Sequence, residues 1–289
     1  MLEIIFPSVA SIVSLSLVAL ISGLVLSFAK LKLKVEKDPR IELILQCLPN
    51  ANCGACGLPG CSAYSSGIVE GKCDINLCTV GGQDVIDRIA EIVGVESVTG
   101  GVAMTARVQC RGGKNKAASK FFYAGPKSCK AAKSIMGGFK VCEYGCLGFG
   151  DCSNACSFGA ITMSAACLPV FDKDKCTGCG NCVAECPKHI IKLVKKDSEV
   201  HVMCSNMEKP TVMKLGCTVG CTGCKLCVKA CTEVFKDNPD IDSAIEVNDF
   251  LAKIDSAKCI NCLKCAEACP IPVINPLSAA KKIVKNRIS

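Results

Sequence analysis

The chain has 289 residues, of which half are hydrophobic and only 4% aromatic, with a formal charge of +8 and no tryptophan. Its 27 cysteines exclude an ordinary cytosolic enzyme, and the scarcity of large rings excludes a large aromatic core. Cysteines bunched as C-x2-C-x2-C-x3-C suit metal clusters in a reducing compartment, not the disulfide frameworks of small secreted domains. The basic charge is only formal. Five cubes of four thiolates, at about −2 each, would bring +8 to about −2, and a sixth to about −4. Nucleic acid is therefore not implied.

Pro7 to Ala29 is apolar and free of charge, and about 20 such residues span a bilayer. Lys30, Lys32, Lys34, Lys37 and Arg40 follow, while Glu3 alone precedes. This asymmetry predicts a single-pass helix in the cytoplasmic membrane, with everything after Lys30 on the cytoplasmic side. A cleaved leader would need a positive start and a better cleavage site than Ser27-Phe28-Ala29. Ser14, Ser16, Ser22 and Gly23 suit packing on neighbouring membrane helices. With no charge inside the span, this chain alone offers no ion path.

Asp38-Pro39 predicts a break and a linker, and Ile41 to Leu48 a short amphipathic helix. In Cys53-Gly-Ala-Cys56-Gly-Leu-Pro-Gly60-Cys61, the glycines allow tight turns around a bulky ligand. Cys53, Cys56 and Cys61 are candidate ligands of a [4Fe–4S] cluster. Cys78, just before Gly81-Gly82, is the expected fourth, with Cys73 the alternative; four cysteines also suit zinc. Gln83 to Val93 has helical apolar spacing.

From Ser97 to Cys142 there is no acidic residue, but there are Arg107, Arg111, Lys114, Lys116, Lys120, Lys127, Lys130, Lys133 and Lys140. The run reads as a solvated basic surface or, more sharply, a docking patch for an acidic partner.

Two modules of paired cysteine runs follow, from Cys142 to about Val200 and from Cys221 to about Ile274. In the first, Val170 to Lys175 predicts a strand and turn, and Ile190 to Val194 a second strand. Asp249 to Asp255 is the counterpart of the former in the second module, so the chain contains an internal repeat. In paired runs the fourth cysteine crosses to the partner's cluster. The spacing therefore assigns Cys142, Cys146, Cys152 and Cys186 to one cube, and Cys176, Cys179, Cys182 and Cys156 to its neighbour. Cys221, Cys224, Cys227 and Cys269 hold a third, and Cys259, Cys262, Cys265 and Cys231 a fourth. With the Cys53 site this makes five [4Fe–4S] clusters. Cys110, Cys129, Cys204 and Cys217 flank the first module and either converge on a sixth or are buried small hydrophobes. Cys47 and Cys167 read as inert, and His189 and His201 have no ligand-like setting.

The fold class expected is α+β: a single N-terminal transmembrane helix, a small helical cluster-binding domain and tandem ferredoxin-like two-cluster modules. Its boundaries fall at 1–30 (anchor), 31–98 (first cluster domain), 99–141 (basic insert), 142–200 (first module), 201–220 (connector), 221–275 (second module) and 276–289 (basic tail).

One span, then NCGACGLPGC with INLCTVGG, then CEYGCLGFGDCSNAC with CTGCGNCVAECP, resembles the B subunit of the Rnf complex. The likeness covers nearly the whole chain. Ser157 and Thr232, where proline usually follows the fourth cysteine, depart from the pattern. The resemblance implies a subunit of a membrane-bound, ion-translocating ferredoxin:NAD oxidoreductase. Such a subunit accepts electrons from reduced ferredoxin and passes them to other membrane and cytoplasmic subunits, and this chain alone carries no complete active site. Gly100-Gly101 and Gly112-Gly113 lack the strand–turn–helix context of a nucleotide site. The rival classes are a membrane-tethered polyferredoxin of another redox complex and a zinc-dependent nucleic-acid binder. The span and the few aromatics disfavour the latter.

Overall fold

The computed structural model describes residues 2–32, 38–236 and 243–276. Helix α1 runs Leu2–Lys32. From Val13 to Phe28 its large apolar side chains are exposed on every side, Leu15 at 71% and Leu26 at 70%. A helix apolar all round belongs in apolar surroundings. Among the described residues no helix is long and apolar enough to cross a membrane. The side chains of residues 1–12 lie outside the described part, so the expected span from Pro7 is described only from Val13.

Asp38-Pro39 separates two helices, as expected of a break, but Pro39 already belongs to the second helix and not to a linker. The Asp38 carboxylate accepts the amide of Arg40 at 2.9 Å, and Pro39 opens α2, Pro39–Cys47, where its missing N–H leaves no bond unmade. Residues 33–37, ahead of it, lie outside the described residues. Helices α3 (Cys61–Val69) and α4 (Gly82–Val93) complete a small unit around Ile44, Leu48, Tyr64, Ile68 and Ile89. The predicted face of α4 is the one that buries Ile86, Ile89 and Ala90.

The first module follows as β1 (Met104–Val108), α5 (Cys129–Ser134), α6 (Asp151–Asn154), β2 (Ile161–Met163), β3 (Pro169–Phe171), α7 (Asn181–Glu185) and β4 (Ile191–Lys195). The second comprises β5 (Val200–Val202), α8 (Pro210–Gly216), α9 (Leu226–Val234), β6 (Ile245–Asn248), β7 (Leu251–Ile254), α10 (Lys264–Glu267) and β8 (Ile274–Pro276). Both follow one plan. An inner antiparallel hairpin, β2–β3 or β6–β7, sits between the cysteine runs. The outer strands pair antiparallel, β1 with β4 (Ala106 opposite Leu193) and β5 with β8 (His201 opposite Asn275).

Strand β1 departs from the expected layout. It lies inside the expected basic insert, and Ala106 and Val108 join Ile161, Ile190 and Ile191 in the first module's core. Val200, Val202, Phe235, Ile245, Leu251, Val273 and Ile274 form the second core. Cysteines fill much of both cores. The turns of Cys176-Thr-Gly178-Cys179 and Cys221-Thr-Gly223-Cys224 press onto backbone. A Cβ at Gly178 would lie 2.8 Å from the Met104 carbonyl oxygen, and one at Gly223 2.7 Å from the Phe250 Cα, both at positive φ. Leu277 to Ser289, the expected basic tail, lies outside the described residues.

Candidate metal centres

Five cavities are each lined by four cysteines. Cys53, Cys56, Cys61 and Cys78 line one, and Cys156, Cys176, Cys179 and Cys182 another. Cys221, Cys224, Cys227 and Cys269 line a third. A fourth takes Cys129, Cys146, Cys152 and Cys186, and a fifth Cys110, Cys142, Cys204 and Cys217. Around Cys265, whose thiol is pushed up to about 12 by burial, the neighbouring thiolates are Cys259, Cys262, Cys231 and Cys227.

Two of these groupings differ from the expected ones: Cys129 and Cys142 have exchanged places. Two local tethers account for this. The Asp151 carboxylate, at the start of α6, accepts from the Ser128 hydroxyl at 2.9 Å and the Lys130 amide at 3.2 Å, which holds Cys129 beside Cys152. Cys142 is drawn the other way. Its sulfur accepts from the Asn206 side-chain amide at 3.3 Å, and the isolated bridges Ala117–Cys217 and Ser119–Lys140 tie the segment leading into it to Cys217. The looser spacing of Cys142-x3-Cys146-x5-Cys152 was the available signal that one cysteine of this run serves elsewhere.

Cys78, not Cys73, faces the first cavity. Tyr64, buried in α3, sets this: its hydroxyl donates to the Asp74 carbonyl at 2.9 Å and accepts the Leu77 amide at 3.1 Å, fixing the loop that delivers Cys78. Burial pushes the Tyr64 phenol up to about 12. Cys73 packs instead over Gly67 of α3. Cys167 is exposed and Cys47 half-buried, and neither lines these cavities. His201 is half-buried, and its desolvation followed by the charge of Arg107 pushes it down to about 4.

The sites fit a polynuclear group. Burial first, with adjacent thiolates adding to it, pushes Cys152, Cys204 and Cys227 up to about 11 and Cys182 to about 12. Four crowded thiolates are unfavourable alone and are relieved by a polycationic core. Among the described residues no three Cys, His, Asp or Glu stand close enough to share one ion. The sulfurs surround a volume, not a point.

Neighbouring sets also adjoin one another. Cys53 acts on Cys179, and Cys152 on Cys182. The Cys146 amide donates to Cys110 Sγ at 3.4 Å, and the Cys221 amide to Cys204 Sγ at 3.4 Å. Cys227 acts on Cys265. These contacts link the Cys53, Cys176, Cys129, Cys110, Cys221 and Cys259 sets in that order.

Comparison with known proteins shows the family of the chain. The chain is 41% identical over 261 residues to the B subunit of the Na(+)-translocating ferredoxin:NAD(+) oxidoreductase complex of Acetobacterium woodii, covering 90% of this chain and 75% of that one. The chain belongs to the family of B subunits of ion-translocating oxidoreductase complexes. The B subunit of the ion-translocating oxidoreductase complex of Methanosarcina acetivorans is 37% identical over 86% of this chain and 90% of its own. That of the proton-translocating ferredoxin:NAD(+) oxidoreductase complex of Clostridium ljungdahlii is 37% identical over 92% and 91%. Within this B-family chain, a putative Fe-S cluster family matches residues 48–80, a 4Fe-4S binding domain residues 169–192 and a 4Fe-4S dicluster domain residues 220–274. These matches leave Cys110, Cys129, Cys142, Cys146, Cys152, Cys156, Cys204 and Cys217 uncovered, so the two middle sets rest on geometry.

Proposed function

We propose that this chain is the electron-relaying subunit of a membrane-bound, ion-translocating ferredoxin:NAD oxidoreductase, holding six [4Fe–4S] clusters in the six cysteine sets. The observation that carries this reading is the repeated gathering of four cysteines around one cavity in a chain of this family. When bound, such clusters supply reversible one-electron chemistry at thiolate-held iron. The chain's own residues hold that iron, keep water from it and orient backbone N–H groups onto the sulfurs, as the amides of Ala106, Cys146 and Cys221 do here at 3.4 Å.

The donor in this reading is reduced ferredoxin, whose class is acidic. Parts of the basic run are withdrawn from the surface: Arg107 and Lys140 are buried, and Lys140 donates to the Gly112 carbonyl at 2.6 Å. Lys120 and Lys130 approach Glu143 and Glu185 at 3.8 and 2.7 Å. Lys114, Lys116, Lys127 and Lys133 remain exposed, with Phe122 at 92% and Met136 at 75% exposure among them. Positive charge around exposed apolar side chains suits brief docking of an acidic protein, next to the Cys129 set. Helix α1 is the single-pass anchor, and the lysines after it keep the clusters on the cytoplasmic side. NAD chemistry and ion movement belong to partner subunits.

The test is to mix the anaerobically purified chain with chemically reduced ferredoxin and follow its visible iron–sulfur band. Bleaching in proportion to ferredoxin added supports the reading. An unbleached band, in protein that dithionite does reduce, removes ferredoxin as donor.

A further inference from the structure

Arg107, the fourth residue of β1, is 4% exposed, where a cation normally requires a partner. Among the described residues it forms no ion pair, and its Nε and Nη2 have no hydrogen-bond partner in the protein. Its Nη1 makes only a long bond, to the Phe171 carbonyl at 3.4 Å. His201, its neighbour from β5, contributes no negative charge. Lys192, opposite Arg107 in the ladder, carries the same sign. The negative group in its surroundings is the sulfur of Cys176, which also accepts the amide of Ala106 at 3.4 Å. Strand β1 therefore sets a backbone N–H on the Cys176 sulfur and holds a buried guanidinium within reach of that sulfur's charge.

We infer that Arg107 is a positioning cation for the Cys156, Cys176, Cys179 and Cys182 set, raising the reduction potential of the cluster held there above what the same four thiolates would give alone. The inference rests on the proposal that this set holds a cluster. Its physics is charge: reduction adds one negative charge, and a fixed positive charge in a low-dielectric setting favours the more negative state. Net local charge and hydrogen bonds to sulfur are the levers that spread iron–sulfur potentials. The site adjoins the Cys53 set, so Arg107 would favour residence of the electron near that set. No proton is gained or lost by Arg107, which stays charged throughout.

The test compares Arg107→Met, Arg107→Gln and Arg107→Lys in the full-length chain. Iron content comes first, then a potentiometric titration followed by electron paramagnetic resonance. An iron-free wild-type chain would fail the cluster reading itself, separately from this inference. With iron intact, the expected result is that one titration step moves to lower potential in the Met and Gln variants. The oxidised-to-reduced ratio at a fixed potential should rise by about tenfold, equivalent to about 59 mV for one electron. The other steps stay in place, and Lys restores the wild-type step. Loss of one set's iron in both neutral variants, with iron and potential kept by Lys, would also support a charge pairing. Unchanged potentials in an iron-replete neutral variant, or iron loss in Lys as well, would overturn the proposal and leave Arg107 a packing residue.

Discussion

The amide of Cys221 donates to the sulfur of Cys204 at 3.4 Å, within the second module's core. On the other side of the same cavity the amide of Cys146 donates to Cys110 Sγ. The set made of Cys110, Cys142, Cys204 and Cys217 is thus the joint between the modules.

The regrouping of cysteines predicts which substitutions behave alike. Cys110→Ser and Cys142→Ser should produce the same spectral loss, of about four iron atoms. Cys129→Ser should match Cys186→Ser instead. Iron analysis with paramagnetic resonance on the four variants checks this. The grouping read from spacing alone requires Cys142→Ser to match Cys186→Ser.

Tyr64→Phe removes one donor and one acceptor from the loop that carries Cys78. Leaving the Leu77 amide and Asp74 carbonyl without this partner should cost about 1 to 3 kcal/mol. The loss should appear as faster release of a single cluster to a chelator, with the remaining iron released at the wild-type rate. Cys73→Ser should leave that release unchanged.

How legible this was in the sequence differs from site to site. The Cys176, Cys221 and Cys259 runs follow the tight spacing that a cube dictates, so their local turns and crossing fourth cysteines could be assigned from spacing. The choice of Cys78 was also readable from the turn at Gly81-Gly82, although its cause, the Tyr64 tether, was not. The exchange of Cys129 and Cys142 was hidden because it depends on Asp151 and Asn206, residues with no metal-binding character that act by hydrogen bonds across 21 to 64 positions. Strand β1 was hidden for a related reason. Met-Thr-Ala-Arg-Val has weak alternation, and it is a strand because β4 pairs with it. Asp38-Pro39 is ambiguous in sequence because the same pair that breaks a helix also starts one.

Removal of residues 1–30 should release the protein from membranes while leaving its iron content unchanged, since no proposed ligand lies before Cys53. Fractionation in high salt with iron analysis decides it. Retention of the truncated chain on membranes lacking the partner subunits would assign the tether to another part of the chain.

Electron transfer from ferredoxin should slow steeply as salt is raised across the range where the Debye length falls from about 30 to about 8 Å. Reversing charge at Lys114, Lys116, Lys127 and Lys133 should lower the second-order rate at low salt and flatten the dependence. An unchanged rate and slope in an iron-replete variant would remove this face as the docking site.

The most direct measurement is iron, acid-labile sulfide and zinc per chain in the full-length protein purified without oxygen. Six four-cysteine sets predict about 24 iron and about 24 sulfide with no stoichiometric zinc. About 20 of each would contradict the sixth set, and stoichiometric zinc with little iron would contradict the electron-relay account itself.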